Sequence, residues 1–226
     1  MLKTYLRHHS KPECVIQNLD GFSLRANDGV TDPMQYMGSL KEPELYQAAV
    51  SQRRYFMIYR YFPLVGFVRE GAIKPAIQGL LGISDAAENR FQGYRPQNLT
   101  WTSEFATFKK QHASGVEWPV DAGGRQALQG IMELCQKEGI KLVLVYSPEY
   151  IESQLLTRNR SEIFNAFHSM ANAFQAPVWD YSQDPISADK NCFYNSQHLN
   201  QNGASLFSEK VGNRLANYYY SNPSLR

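Results

Sequence analysis

The chain has 226 residues, 43% of them hydrophobic and 19% charged, with 23 basic against 21 acidic side chains and a net charge of +2. Those values exclude a disordered or fibrous chain, and the near balance of charge gives no global reason to expect nucleic acid or an anionic membrane as partner. No run of about eighteen apolar residues is present, so no integral membrane segment is encoded, and Met1 to His9 lacks the apolar core of a signal peptide.

The length suits one large α/β domain, or one domain with a sizeable insertion. Cys14-Val15-Ile16-Gln17-Asn18-Leu19 is a mostly apolar run ending at Asp20-Gly21, which predicts a buried strand and a turn. From about Asp28 to about Gly124 the chain is long, aromatic and punctuated by prolines. About a hundred residues is too long for a bare loop, so an inserted subdomain or lid is expected there. Within it Glu44 to Arg54 and Ile73 to Leu81 read as helices. Tyr55 to Phe62 is apolar and aromatic without a clean period, and reads as the insertion's core rather than a membrane or partner surface.

Gln126 to Glu138 places Leu128, Ile131, Met132 and Cys135 on one helical face, with Gly139 as the stop. Lys141 to Tyr146 is a second, stronger strand, stopped by Ser147-Pro148. Ser161 to Phe174 places Ile163, Phe164, Phe167, Met170, Ala171 and Phe174 on one face, with Ser161 as its N-cap. Ala176 to Asp180 is a third strand, and Ala204 to Tyr218 a last helix facing inward through Phe207, Val211, Leu215 and Tyr218. Continuous apolar strands alternating with helices predict an α/β fold with a mostly parallel sheet.

Cys14, Cys135 and Cys192 are widely spaced and carry no metal or redox signature, and the five histidines form no recognisable ligand set. No metal or other cofactor is expected. In an open α/β sheet, ligands bind beyond the carboxyl ends of the strands. That rule selects Asp20, Ser23, Ser147, Glu149, Tyr150, Asp180 and Tyr181, together with the polar loop carrying Asn195 and His198 just before the last helix. A neutral imidazole there can take a proton from a hydroxyl and return it to a leaving group. Each of these residues also has a structural reading. A lone histidine before a helix is more often a hydrogen-bonding brace. Asp20 and Asp180 cap loops, Ser147 ends its strand before a proline, and Asn200, Asn202 and Gly203 form a turn and cap.

Asn195-Ser196-Gln197-His198-Leu199-Asn200, followed by Gly203-Ala204, resembles the C-terminal catalytic block of the SGNH-hydrolase superfamily, the GDSL-type esterases. The resemblance extends to Lys141–Pro148 and Val178–Ser182. Val15–Leu24, Asp32–Tyr36 and Arg60–Leu64 are similar to a branch of large SGNH-like proteins, so the likeness spans roughly Cys14 to Leu215. It implies a flavodoxin-like three-layer sandwich with a mostly parallel sheet, here with an inserted helical or irregular region. It also implies an esterase or acyltransferase-type activity on O-acyl substrates, small-molecule or glycan, with His198 as base and Asn195 in the orienting position. Asp20, Ser23, Ser147 and Tyr150 would line the substrate site.

The chain departs from the family pattern in three places. Asn195 stands where the family has an orienting Asp, and in a serine protease that exchange costs about ten-thousandfold. The turn after the first strand, Asp20-Gly21-Phe22-Ser23, lacks the oxyanion Asn. No Gly-x-Ser block precedes Cys14, and neither Ser23 nor Ser147 sits on a sharp Gly-flanked turn. A weak or inactive enzyme is therefore expected, either a shortened family member or a non-catalytic glycan- or protein-binding module on the same fold. Shortening would expose a sheet edge and predicts a homodimer through it. The residues leave the compartment open, and the family's polysaccharide-modifying members imply a soluble envelope protein.

Overall fold

The computed structural model describes residues 2–26, 33–69, 73–82, 94 and 96–221. In chain order its elements are α1 (Leu2–His8), β1 (Cys14–Leu19), α2 (Pro43–Gln52), α3 (Phe56–Tyr61), α4 (Pro63–Arg69), α5 (Ile73–Leu80), α6 (Glu104–Gln111), α7 (Ala122–Glu138), β2 (Lys141–Tyr146), α8 (Ile151–Leu156), α9 (Arg160–Ala173), β3 (Val178–Asp180) and α10 (Gln201–Ser221), with short 3-10 turns at Pro33–Ser39, Pro185–Ala188 and Lys190–Cys192. The class is α/β. Its described strands form one open, all-parallel sheet in the order β1-β2-β3. The chain divides into two compact units. One comprises Met1–Glu13, Arg25–Arg95 and Asp121–Ile140; the other comprises Cys14–Leu24, Pro96–Val120 and Lys141–Arg226. The expected insertion of about 28–124 contributes to both, and its positions 28–32, 70–72, 83–93 and 95 lie outside the described residues, as does Asp32 of the family resemblance.

The second unit contains the sheet. Leu142 to Tyr146 of β2 are all buried, as expected for a strand with a neighbour on each side and cover on both faces. Val143 and Val145, with Trp179 of β3, form one apolar face, and Phe207, Val211, Leu215 and Tyr218 of α10 pack on it. The Trp179 and Tyr218 rings meet edge-on at 5.8 Å. On the opposite face the Tyr146 ring meets Phe164 and Phe167 of α9, with centroids 4.6 and 6.4 Å away. A fully buried Val, Leu or Phe contributes roughly 1.5–3 kcal/mol, so these two faces anchor the unit. β1 pairs with β2 from Cys14↔Lys141 to Leu19↔Tyr146. Ile16 shares the α10 face with Val143 but is 45% exposed, whereas Cys14 at the start of β1 packs into the α10 cluster.

Two expected boundaries move for local reasons. The third strand shrinks to Val178–Asp180, because Pro177 has no amide to donate to the ladder and joins it only by accepting from the Leu144 amide at 3.0 Å. Ser161 is not the cap of α9, which begins one residue earlier at Arg160 with Asn159 in the capping position. The Asn159 side chain makes no cap bond, because it is committed to Trp118, accepting from its amide at 3.0 Å and donating to its carbonyl at 2.8 Å.

In the first unit, Met37, Leu40, Ala49, Phe56 and Tyr59 form a buried cluster on which Val50, Tyr55 and Phe67 pack. Pro43 opens α2, a position where its missing amide costs nothing. α7 starts at Ala122, after Asp121 in extended conformation, and buries Leu128, Met132 and Cys135. It ends at Gly139, whose left-handed φ of 64° lets the Ile140 amide reach back to the Cys135 carbonyl at 2.8 Å. Arg7 of α1 donates to Glu42 and Glu44, and that contact pulls the Glu44 carboxyl down to about 2.

Candidate functional site

The carboxyl ends of β1 and β2 meet the histidine loop at a cleft of about 180 Å³ lined by Asn18, Leu19, Asp20, Phe22, Ser147, Glu149, Gln197 and His198. The cleft forms where parallel strands deliver residues past their last ladder bond. Asn18 and Leu19 close β1, and Asp20 opens a turn in which its Oδ1 accepts from the Phe22 amide and the Ser23 hydroxyl, both at 2.9 Å. Beyond β2, the Ser147 hydroxyl donates to Asn18 Oδ1, tying the two strand ends together. Buried Gln154 secures the next loop, donating from Nε2 to the carbonyls of Glu149 at 2.7 Å and Ser182 at 2.8 Å.

The loop from Phe193 to Leu199 is a small closed hairpin. Phe193 and Leu199 form an antiparallel bridge, and the Tyr194 amide donates to the His198 carbonyl at 3.1 Å. The Tyr150 amide donates to the Ser196 carbonyl at 3.0 Å, joining the hairpin to the loop after β2. Behind it, Phe193 and Leu199 pack with Phe105, Tyr150 and Phe207. Asn200 caps α10 by accepting from the Gly203 amide at 3.1 Å. Gly203 lies so close to the hairpin that an added Cβ would be 2.1 Å from the Cys192 carbonyl oxygen. His198 is therefore exposed but not loosely held, and its ring stacks on Tyr194 at 5.5 Å and 14°.

Asn195 is the centre of this hairpin. Its Oδ1 accepts from the Gln197 amide at 3.0 Å and the His198 amide at 2.8 Å, and it lies 2.9 Å from His198 Nδ1. Backbone amides can only donate, so the atom between them is the oxygen and the side-chain amide cannot be reversed. The imidazole nitrogen facing that oxygen must itself carry a proton. In the neutral imidazole Nδ1 is thus the protonated nitrogen and Nε2 has the lone pair, which is the tautomer a general base requires. An amide at 195 could also hold the other tautomer by turning its NH2 to the ring, and the two backbone amides prevent that turn.

Glu149, on the same cleft, has altered acidity. Burial pushes its carboxyl above the ordinary range, opposed by the Tyr146 hydroxyl, which donates to Oε2 at 3.0 Å, and by Arg160. Arg160 donates to the Tyr146 oxygen at 3.2 Å and lies over the Phe164 ring at 4.3 Å. Burial also raises the Tyr146 phenol, so it serves as a neutral donor.

The residues expected at the site are distributed as follows. His198, Asp20 and Ser147 line the cleft and Asn195 orients His198 from behind. Ser23 closes the Asp20 turn, and Asp180 braces its own loop by accepting from the Ser182 amide at 2.8 Å. Tyr150 turns into the apolar cluster, where it packs edge-on against Trp101 and Phe105 and donates to Glu152 at 3.1 Å. Asn18 and Gln197 were not singled out from the sequence. The signal for Asn18 was a polar side chain at the carboxyl end of an apolar strand. Among the described residues no three His, Cys, Asp or Glu side chains converge in the manner of a metal site. No protein-family model, characterised protein or solved structure matches the chain.

Proposed function

We propose that this chain is an SGNH-like esterase or acyltransferase-type domain on a flavodoxin-like scaffold, acting on O-acyl substrates with low intrinsic activity. The observation that carries the reading is the Asn195 clamp, which leaves His198 Nε2 unprotonated in a residue that lines the cleft. In this reading His198 takes the proton from a hydroxyl, either water or an acceptor alcohol, as that oxygen attacks the ester carbonyl. The carbonyl oxygen becomes an oxyanion as its π bond opens, and Asn18 Nδ2 supplies a donor to it, because Oδ1 is engaged by Ser147. Collapse of the tetrahedral adduct expels the alkoxide, which receives the proton held on His198. Asn195 supplies no negative charge to the imidazolium and no serine on a sharp Gly-flanked turn supplies a nucleophile, and both lower the activity expected.

A second reading, a glycan- or protein-binding module on the same fold, is favoured by one specific observation: the Ser147 hydroxyl donates to Asn18. Hydrolysis of p-nitrophenyl acetate and labelling by a fluorophosphonate test both. We expect slow turnover that His198→Ala lowers by about a hundredfold, without stoichiometric labelling. Labelling that Ser147→Ala abolishes would assign a serine nucleophile instead of water. Turnover equal in wild type and His198→Ala, with saturable binding of an O-acylated glycan, would replace the enzyme by the module.

A further inference from the structure

The near balance of charge over the whole chain conceals a local excess. Between Arg53 and Leu81 there are five cationic side chains, Arg53, Arg54, Arg60, Arg69 and Lys74, against one carboxylate, Glu70. The same segment is apolar on faces that a helix normally gives to water. α3 turns Phe56 and Tyr59 into the first unit's core, yet Met57, Ile58 and Tyr61 are exposed. α4 buries Gly66 while Leu64, Val65 and Val68 are exposed, and Tyr61 and Leu64 each reach 73%. On α5, Ile73, Ile77 and Leu80 fall on one stripe, all exposed, Leu80 by 90%. The expectation that Tyr55 to Phe62 forms only a core is thus half met. An isolated exposed leucine needs no explanation, but exposed apolar side chains repeated on three successive helices do.

We propose that this surface docks on an anionic lipid bilayer, with α3, α4 and α5 lying in the headgroup region. Three features select lipid. The exposed side chains are apolar groups joined by Phe62 and by Tyr61, whose ring type settles at the membrane interface. Arg54 and Lys74 are exposed in the same stretch of chain, and an anionic headgroup layer attracts each cation. No helix of the described residues is long and apolar enough to cross a membrane, so the mode is in-plane attachment, as for amphipathic interfacial helices. The site is independent of the cleft and of the chemistry assigned to it.

Flotation of the whole chain with vesicles of phosphatidylcholine containing about 30% phosphatidylglycerol tests this, against pure phosphatidylcholine and at high salt. We expect binding to the anionic vesicles that Leu64→Glu/Val68→Glu weakens by at least about tenfold. Arg54→Gln/Lys74→Gln and high salt should each weaken it by about tenfold. All four positions are exposed, and an unchanged thermal midpoint and circular dichroism spectrum confirm folding of the variants. No flotation of the wild type, or flotation undiminished in Leu64→Glu/Val68→Glu, would overturn the proposal. Concentration-dependent dimerisation abolished by Leu64→Glu/Val68→Glu, without flotation, would assign the surface to a second copy of the chain instead.

Discussion

Replacing Asn195 separates what its oxygen does from what its lack of charge withholds. Asn195→Ala removes the acceptor of three N–H groups, two from backbone and one from the imidazole. A typical intramolecular hydrogen bond is worth about 0.5–1.5 kcal/mol net. The hairpin is only half-buried and water can take over part of the task, so the sum falls at about 1.5–2 kcal/mol. Asn195→Asp keeps every acceptor contact and adds a negative charge to the bond with Nδ1. Charge roughly doubles such a bond, but on an exposed histidine solvent limits the gain to about 1 kcal/mol, or about fivefold in rate. The far larger loss known for the reverse exchange in a serine protease reflects a wrong tautomer, and here the tautomer is already set. Long-range proton–nitrogen correlation spectra at about pH 9, above the ordinary imidazole range, read the protonated nitrogen directly, and p-nitrophenyl acetate hydrolysis reads the rate. A wild-type spectrum with the proton on His198 Nε2 would refute the argument, and so would a thousandfold gain in Asn195→Asp.

Gly203→Ala drives a methyl group into the Cys192 carbonyl, which is backbone and cannot swing aside. A loss of about 1–3 kcal/mol by urea denaturation is expected, and a stability equal to wild type would show that the hairpin relaxes freely. Glu149→Gln tests the buried carboxyl. Its folded pKa is raised by burial, so its favourable contribution is full below the unfolded pKa of about 4.3 and is lost as pH rises through the folded pKa. The permanently neutral Gln variant should therefore gain on wild type as pH climbs from about 4 towards neutrality. A Gln variant that instead loses ground to wild type over that range would mean that the carboxylate form is the one preferred.

The sheet was legible because its strands are continuous apolar runs, and β1 and β2 begin and end where those runs do. The inward face of α10 was legible for the same reason, since Phe207, Val211, Leu215 and Tyr218 recur at helical spacing. α7 was underestimated at its start because Gly123 and Gly124, poor helix formers, occupy its first turn. The aromatic run from Tyr55 to Phe62 gave no period because Pro63 divides it from a second short helix, and each helix has apolar residues on both sides. At the cleft, His198, Ser147 and Asp20 followed from strand ends and loop position. Tyr150 did not follow, because an aromatic ring at a strand end can serve either the rim or the core, and only tertiary packing decides. The tautomer of His198 lay beyond any motif, because it depends on two main-chain amides converging on one side-chain oxygen.

Among the described residues, β2 alone of the three strands is hydrogen-bonded to a neighbour along both of its edges. Local opening follows such differences, so amide exchange should be slowest in β2 and faster in the outer strands. The cleft straddles that divide. Ser147 and Glu149 emerge from the strand that opens last, whereas Asn18 and Asp20 belong to one held from a single side. Departure of β1 would widen the rim on the side that Asn18 and Asp20 form, and leave the Ser147 and Glu149 side in place.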